Sequence, residues 1–232
     1  MRLAALYDVH GNLPALEAVL ADVERERVDL IVCGGDIVAG PLPAEVFDRL
    51  TSLQNVVFVR GNADREVVMR AEAHGAALAA EKLGATRLRQ VERWPLTKYI
   101  DIEGLGSVLF CHATPRSDEE IITRITPDRV VAEAFMGWNG TALVGHTHVQ
   151  FERSVGALRL VNAGSVGMPY EGRRGAFWAL VGPEVQHRRT TYDVESAAAV
   201  VRALGAEEHA DWLLRPPDPE EVTEYFETLR GS

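Results

Sequence analysis

The stretch Asp8-Val9-His10-Gly11-Asn12 decides how this chain is read. It follows an apolar run over residues 3–7 that reads as a strand, and it precedes Leu13-Pro14-Ala15-Leu16, which reads as a helix start. A carboxylate and an imidazole separated by one residue at a strand end project from one loop and can grip one cation. Four later stretches repeat the arrangement, each an apolar run followed by a residue able to bind a metal.

Outward from this stretch, Leu16, Val19, Leu20 and Val23 carry the period of an amphipathic helix. Leu30-Ile31-Val32-Cys33 is a buried strand that stops at Gly34-Gly35-Asp36. A helix carrying Val46, Phe47 and Leu50 follows, then a strand over 56–59 that ends in Arg60-Gly61-Asn62-Ala63-Asp64. The spacing predicts a helix over 65–83, an irregular link over 88–95, and strands over 98–102 and 108–111. The second of these strands runs into His112. Thr126 as cap and Pro127 in the first turn predict a helix through Phe135, and a strand over 141–144 ends in Gly145-His146-Thr147-His148. Strands over 151–155, 158–161, 176–181 and 185–192 succeed one another without helices, and the tail over 194–204 and 219–230 is helical and acidic.

Alternation of strand and helix predicts a parallel sheet, and the later succession of strands predicts antiparallel pairing. The reading is therefore α/β, one domain over residues 1–232 with a helical tail from about residue 194. Ligands of open α/β sheets collect beyond the carboxyl ends of the strands, where every flagged residue falls.

At 232 residues, 47% hydrophobic and 25% charged, the chain has the composition of a soluble globular protein that needs no disulfide or metal to hold its core. Its net charge of -10 argues against gripping a nucleic-acid backbone, so no duplex partner is expected. Only Cys33 and Cys111 are present, both inside apolar runs. They read as reduced thiols and suit a cytoplasmic protein. No leader and no membrane span are expected, and self-association is left open.

The constellation is Asp8, His10, Asp36, Asn62, His112, His146 and His148, which takes in four of the seven histidines. These donors are too many for one ion and fit two ions sharing a carboxylate. Two divalent ions about 3.5–4 Å apart form a known clamp for displacement at phosphorus. Imidazole donors favour manganese, iron, zinc or nickel over calcium or magnesium. Asn12 reads as a turn residue or a substrate contact. Arg65, Arg173 and Arg174 are able to meet phosphate oxygens, and Asp64 to orient a histidine. His74, His187 and His209 read as structural, and the four tryptophans as core or interface.

Asp8-Val9-His10, Gly35-Asp36, Gly61-Asn62, His112 and Gly145-His146-Thr147-His148 resemble the calcineurin-like metallophosphoesterases in order, spacing and strand-end setting. Gly35-Asp36-Ile37-Val38, Gly40-Pro41 and Asn162-Ala163-Gly164-Ser165-Val166-Gly167 resemble that superfamily's small bacterial phosphodiesterase branch. The resemblance implies a four-layer α/β/β/α sandwich with two mixed sheets. It also implies hydrolysis of a small phosphoester by a hydroxide between two metals. Asp8, His10, Asp36 and His148 would hold one metal, and Asp36, Asn62, His112 and His146 the other. Asn62 and Asn12 would meet the substrate; Arg65 is expected to do so from its residue type alone, apart from the resemblance. Where many members have a histidine after Gly-Asn, this chain has Ala63, which cannot donate a proton. Acid catalysis is worth about 10²–10⁴-fold, so modest turnover and a stabilised leaving group are expected. The alternatives are a protein-binding platform on the same fold, as in the retromer scaffold subunit, and a protein phosphatase.

Overall fold

Strand β1 (Leu3–Leu6) shows in miniature why the layers form. Leu3 and Ala5, with Tyr7 just beyond the strand, join one buried cluster, while Ala4 and Leu6 join another. A strand buried on both faces must be covered on both. The computed structural model describes residues 1–72 and 75–230, and the statements below concern these residues.

After β1 come α1 (Leu13–Glu26), β2 (Leu30–Cys33), α2 (Pro43–Thr51), β3 (Val56–Phe58), α3 (Asn62–Met69) and α4 (Ala76–Val91). The antiparallel pair β4 (Thr97–Ile102) and β5 (Gly106–Cys111) leads through α5 (Asp128–Ala134) to β6 (Gly140–Val144), β7 (Phe151–Val155) and β8 (Leu158–Asn162). The chain then forms β9 (Ala176–Val181) and β10 (Val185–Thr190), and ends in α6 (Val194–Ala203), α7 (Glu207–Leu214) and α8 (Pro219–Arg230).

Two five-stranded mixed sheets result, in the orders β10-β9-β1-β2-β3 and β4-β5-β6-β8-β7. In the first, β1, β2 and β3 are parallel and β9 and β10 antiparallel; in the second, β5, β6 and β8 run parallel. Leu3, Tyr7 and Val32 of one sheet face Val108, Phe110, Leu143 and Val161 of the other. The outer face of the first sheet packs Leu6 and Cys33 against Leu16 and Val19 of α1, Val46 of α2 and Leu83 of α4. The outer face of the second packs Leu109 and Ala142 against Val131 of α5 and Phe135 just beyond it. This is the four-layer sandwich expected from the sequence.

Three local readings are corrected. The single helix expected over 65–83 is two, α3 ending at Arg70 in a left-handed cap and α4 beginning at Ala76. Residues 88–91, expected in a link, continue α4 past a kink at Gly84 (φ 75°, ψ 158°), because Leu88 and Val91 are buried in the same core as Leu83. Thr126 does not cap α5: its hydroxyl oxygen accepts from Thr123 N–H and contacts Glu227 of α8, and the helix starts at Asp128. Helix α7 was not foreseen; it folds because Ala210 and Leu213 bury against Val194 and Val201 of α6. No described helix is long and apolar enough to cross a membrane.

Candidate metal centre

Each flagged residue lies just past a strand. Asp8 and His10 follow β1, Asp36 follows β2, His112 follows β5, and His146 and His148 follow β6; Asn62 opens α3 after β3. Their backbones share an unusual feature. Asp8 (φ 53°), His10 (46°), Asp36 (54°), His146 (68°) and His148 (57°) are left-handed, a region that side chains with a Cβ enter at a cost of roughly 1–2 kcal/mol each. The only other described non-glycine residues with positive φ are Arg27 and Arg70, which cap helices. Strain concentrated on these side chains means the surrounding hydrogen bonds dictate where they point.

Those bonds can be followed atom by atom. One oxygen of each carboxylate is held by backbone, leaving the other aimed inward: Asp8 Oδ2 accepts from His146 N–H (3.0 Å) and Asp36 Oδ1 from Ala63 N–H (2.8 Å). Asp8 Oδ1 then lies 3.2 Å from His148 Nε2 and 3.8 Å from His112 Nε2. Asp36 Oδ2 lies 3.4 Å from His112 Nε2 and 3.8 Å from His10 Nε2, between the two halves of the cluster. The imidazoles are set the same way. Nδ1 of His10, His112 and His148 faces the carbonyl of Ala39 (3.2 Å), Gly34 (3.1 Å) and Met168 (2.7 Å). A carbonyl only accepts, so Nδ1 carries a proton, and in the neutral ring Nε2 presents its lone pair inward. His146 is reversed, its Nε2 facing the Glu119 carbonyl at 3.2 Å, which leaves Nδ1 free.

His10 Nε2 and His148 Nε2 meet at 3.1 Å, and with both rings neutral and protonated on Nδ1 no proton lies between them. Two lone pairs this close repel unless a cation sits against both. Asp8, His10 and His148 bring donor atoms within 4.8 Å of one another, as do Asp36, His112 and His146. Asp8 Oδ1, Asn62 Oδ1 and His112 Nε2 are buried without a hydrogen-bond partner, a costly arrangement that a metal would relieve. The donor set fits two divalent ions.

The electrostatics separate the imidazoles. His10 and His146 are each pushed down to about 4, by burial first and then by His148 and His112 respectively, so both stay neutral. Burial opposes charge on His112 too, but Asp36 and Asp8 push it up to about 10, so without a cation this ring carries a second proton, on Nε2 toward Asp36, which a metal would displace. Burial alone would raise Asp36; His112 and His10 overcome it and hold the carboxyl well below the usual range. The cation-seeking character resides in the two carboxylates.

The remaining predicted residues separate. Asn12 is buried with its amide engaged: Oδ1 caps α1 by accepting from Ala15 N–H (3.1 Å) and Nδ2 donates to the Gly167 carbonyl (2.9 Å). Arg65 is paired with Asp118 (3.0 Å) and Glu119 (2.6 Å), Arg173 lies over the Phe177 ring, and Arg174 reaches the Leu214 carbonyl and Glu195. Asp64 orients no histidine. It accepts from Ile37, Val38 and Gly61 N–H (2.9, 3.0 and 3.1 Å) and ties the loop after β2 to the loop after β3; burial and Asp36 push it up to about 7. Burial raises both thiols, and neither belongs to the two candidate metal-binding groups found among the described residues. His187 holds the Asn162 carbonyl, and His74 lies outside the described residues.

Sequence reasoning gave no role to the run from Asn162 to Gly167, yet it braces the centre. Asn162 Nδ2 donates to the Gly145 carbonyl (2.7 Å) and Ser165 Oγ to the Asp8 carbonyl (2.8 Å). Over residues 1–181 the sequence matches the calcineurin-like phosphoesterase superfamily domain. The chain belongs to that superfamily.

Within this phosphoesterase superfamily, an uncharacterised protein of Methanocaldococcus jannaschii is 29% identical over 222 residues, 84% of this chain and 89% of its own. The phosphodiesterase YfcE of Escherichia coli is 36% identical over 77 residues, 29% of this chain and 42% of its own. Among solved structures, a metallophosphoesterase from Sphaerobacter thermophilus superposes with a TM-score of 0.76 at 28% identity, covering 93% of this chain and 99% of that one. These relatives support the small bacterial and archaeal phosphodiesterase branch.

Proposed function

We propose that the chain is a dinuclear, metal-dependent phosphodiesterase acting on small phosphoesters. The observation that carries this reading is the 3.1 Å approach of His10 Nε2 and His148 Nε2 beside Asp8 Oδ1, a buried oxygen without a hydrogen-bond partner. Asp8, His10, Asp36 and His148 would hold one ion and Asp36, Asn62, His112 and His146 the other, with Asp36 Oδ2 shared. Manganese, iron, zinc and nickel suit this mixture of nitrogen and oxygen donors. When bound, the pair would supply Lewis-acid stabilisation of the phosphoryl group and a water acidic enough to attack phosphorus at neutral pH.

The chain's own residues supply placement. The backbone N–H groups of His146 and Ala63 fix the two carboxylates, and three carbonyls fix the tautomers of three imidazoles. Asn62 Oδ1 is buried without a hydrogen-bond partner and is free to face a cation, and its Nδ2 would be a donor for a phosphoryl oxygen. Water adds to phosphorus, the opposite P–O ester bond breaks, and a monoester and an alcohol leave. Ala63 offers no acid to the departing oxygen, so turnover depends on a leaving group stable as an anion. Asn12 and Arg65 have their polar atoms engaged elsewhere and act through structure. Two buried free thiols suit a reducing, cytoplasmic setting.

The test is hydrolysis of bis(p-nitrophenyl) phosphate by protein loaded with manganese or nickel, abolished by a chelator and restored by the metal. Failure to hydrolyse any mono- or diester with manganese, nickel, zinc or iron would refute the reading.

A further inference from the structure

Helices α7 and α8 lie beyond residue 181, where the superfamily match ends, yet both reach the candidate metal centre. Tyr170 stacks on His148 (4.7 Å between centroids, 26°), and Trp212 of α7 meets Tyr170 edge-on at 6.0 Å. His209 of α7 faces the Gly167 carbonyl at 3.0 Å, the same oxygen that accepts from Asn12. On the other half of the centre, Phe226 of α8 lies 6.4 Å from the His146 ring, and Tyr225, 61% exposed, lies 6.3 Å from Phe226. Helix α8 is anchored there: Glu227 accepts from Thr123 Oγ1 (2.6 Å) and Thr126 Oγ1, and Glu220 pairs with Arg124 at 3.3 Å.

The tail therefore edges the His146 half of the centre with Phe226 and, through Trp212, backs the Tyr170 ring that covers His148. It brings no cationic groups to match: residues 194–230 carry nine acidic and three basic side chains, and the basic ones pair with acidic neighbours within the tail. Such a wall stacks planar, uncharged groups and repels additional phosphates. Resting on the phosphoesterase reading above, we infer that Phe226, with Tyr225 beside it, is a specificity-determining residue: it selects singly phosphorylated esters that carry a planar ring, which stacks next to His146.

Binding and turnover test this separately, on the full chain loaded with manganese. In titration calorimetry the protein binds phenylphosphonate more tightly than methylphosphonate. Phe226→Ala shrinks that preference at least fivefold, Phe226→Leu does the same while keeping apolar bulk, and Phe226→Tyr retains it. In kinetics, bis(p-nitrophenyl) phosphate and methyl p-nitrophenyl phosphate share a leaving group, and their ratio of kcat/KM falls in parallel. Equal losses for both members of each pair would mean that Phe226 is merely structural and would overturn the inference, as would a wild-type protein with no preference. A phenyl preference in binding with no turnover of either diester would support the aromatic wall and sink the catalytic assignment instead.

Discussion

Asp36→Asn lowers kcat/KM for an aryl phosphodiester by at least about 10³-fold, on the order of 4 kcal/mol of transition-state stabilisation, while the protein stays folded. The reason lies in the two ends of one carboxylate. Oδ1 accepts from Ala63 N–H and Oδ2 faces His112 and His10. An asparagine that keeps the first bond must turn its NH2 toward the imidazole lone pairs, placing a donor where a shared anion belongs. The substitution therefore removes a charge and inserts a wrong-signed dipole with almost no change of shape. A ligand that binds only the folded protein raises its melting temperature. Manganese should thus raise that of the wild type and have a much smaller effect on Asp36→Asn. Full activity in the variant, or an unchanged response to manganese, would remove Asp36 from the centre.

Gly61→Ala is expected to be nearly as damaging, although it adds one methyl group and replaces no candidate ligand. A Cβ at residue 61 would stand 2.1 Å from Asp36 Oδ1 and 2.4 Å from Asp36 N. The first neighbour is the anchored end of the shared carboxylate and the second is backbone, so neither yields cheaply. Forcing atoms into a filled site costs typically about 1–3 kcal/mol, and here relief comes from displacing Asp36. Activity should fall at least about 100-fold, with a loss of thermal stability in the metal-free protein. Wild-type kinetics and melting in Gly61→Ala would show that the loops after β2 and β3 are looser than the structure describes.

Much of this was legible beforehand for a physical reason. Strands buried on both faces make continuous apolar runs, so their ends are marked, and in this architecture the candidate centre lies at the strand ends. Asp8, His10, Asp36, Asn62, His112, His146 and His148 could be picked out without knowing how β1, β2, β5 and β6 are ordered. Hidden from the sequence was everything that depends on contacts between distant segments. The run from Asn162 to Gly167 binds carbonyls at Gly145 and Asp8, which no local pattern reveals. Asp64 looked like a partner for a histidine, but its burial beneath Ile37, Val38 and Gly61 makes it a tie between loops. Arg65 looked available for phosphate until Asp118 and Glu119 were brought beside it. The left-handed backbone at five candidate ligands has only a weak signature in residue type: aspartate and histidine are enriched in that region, yet tertiary bonds decide which of them occupy it.

Anomalous diffraction from crystals of the manganese-loaded protein tests the central claim most directly. The account predicts two peaks roughly 3.5–4 Å apart, one among Asp8, His10 and His148, the other among Asp36, Asn62, His112 and His146, with Asp36 Oδ2 touching both. No peak in this cluster at saturating manganese, or a single ion with His10 Nε2 and His148 Nε2 turned away from each other, would contradict it.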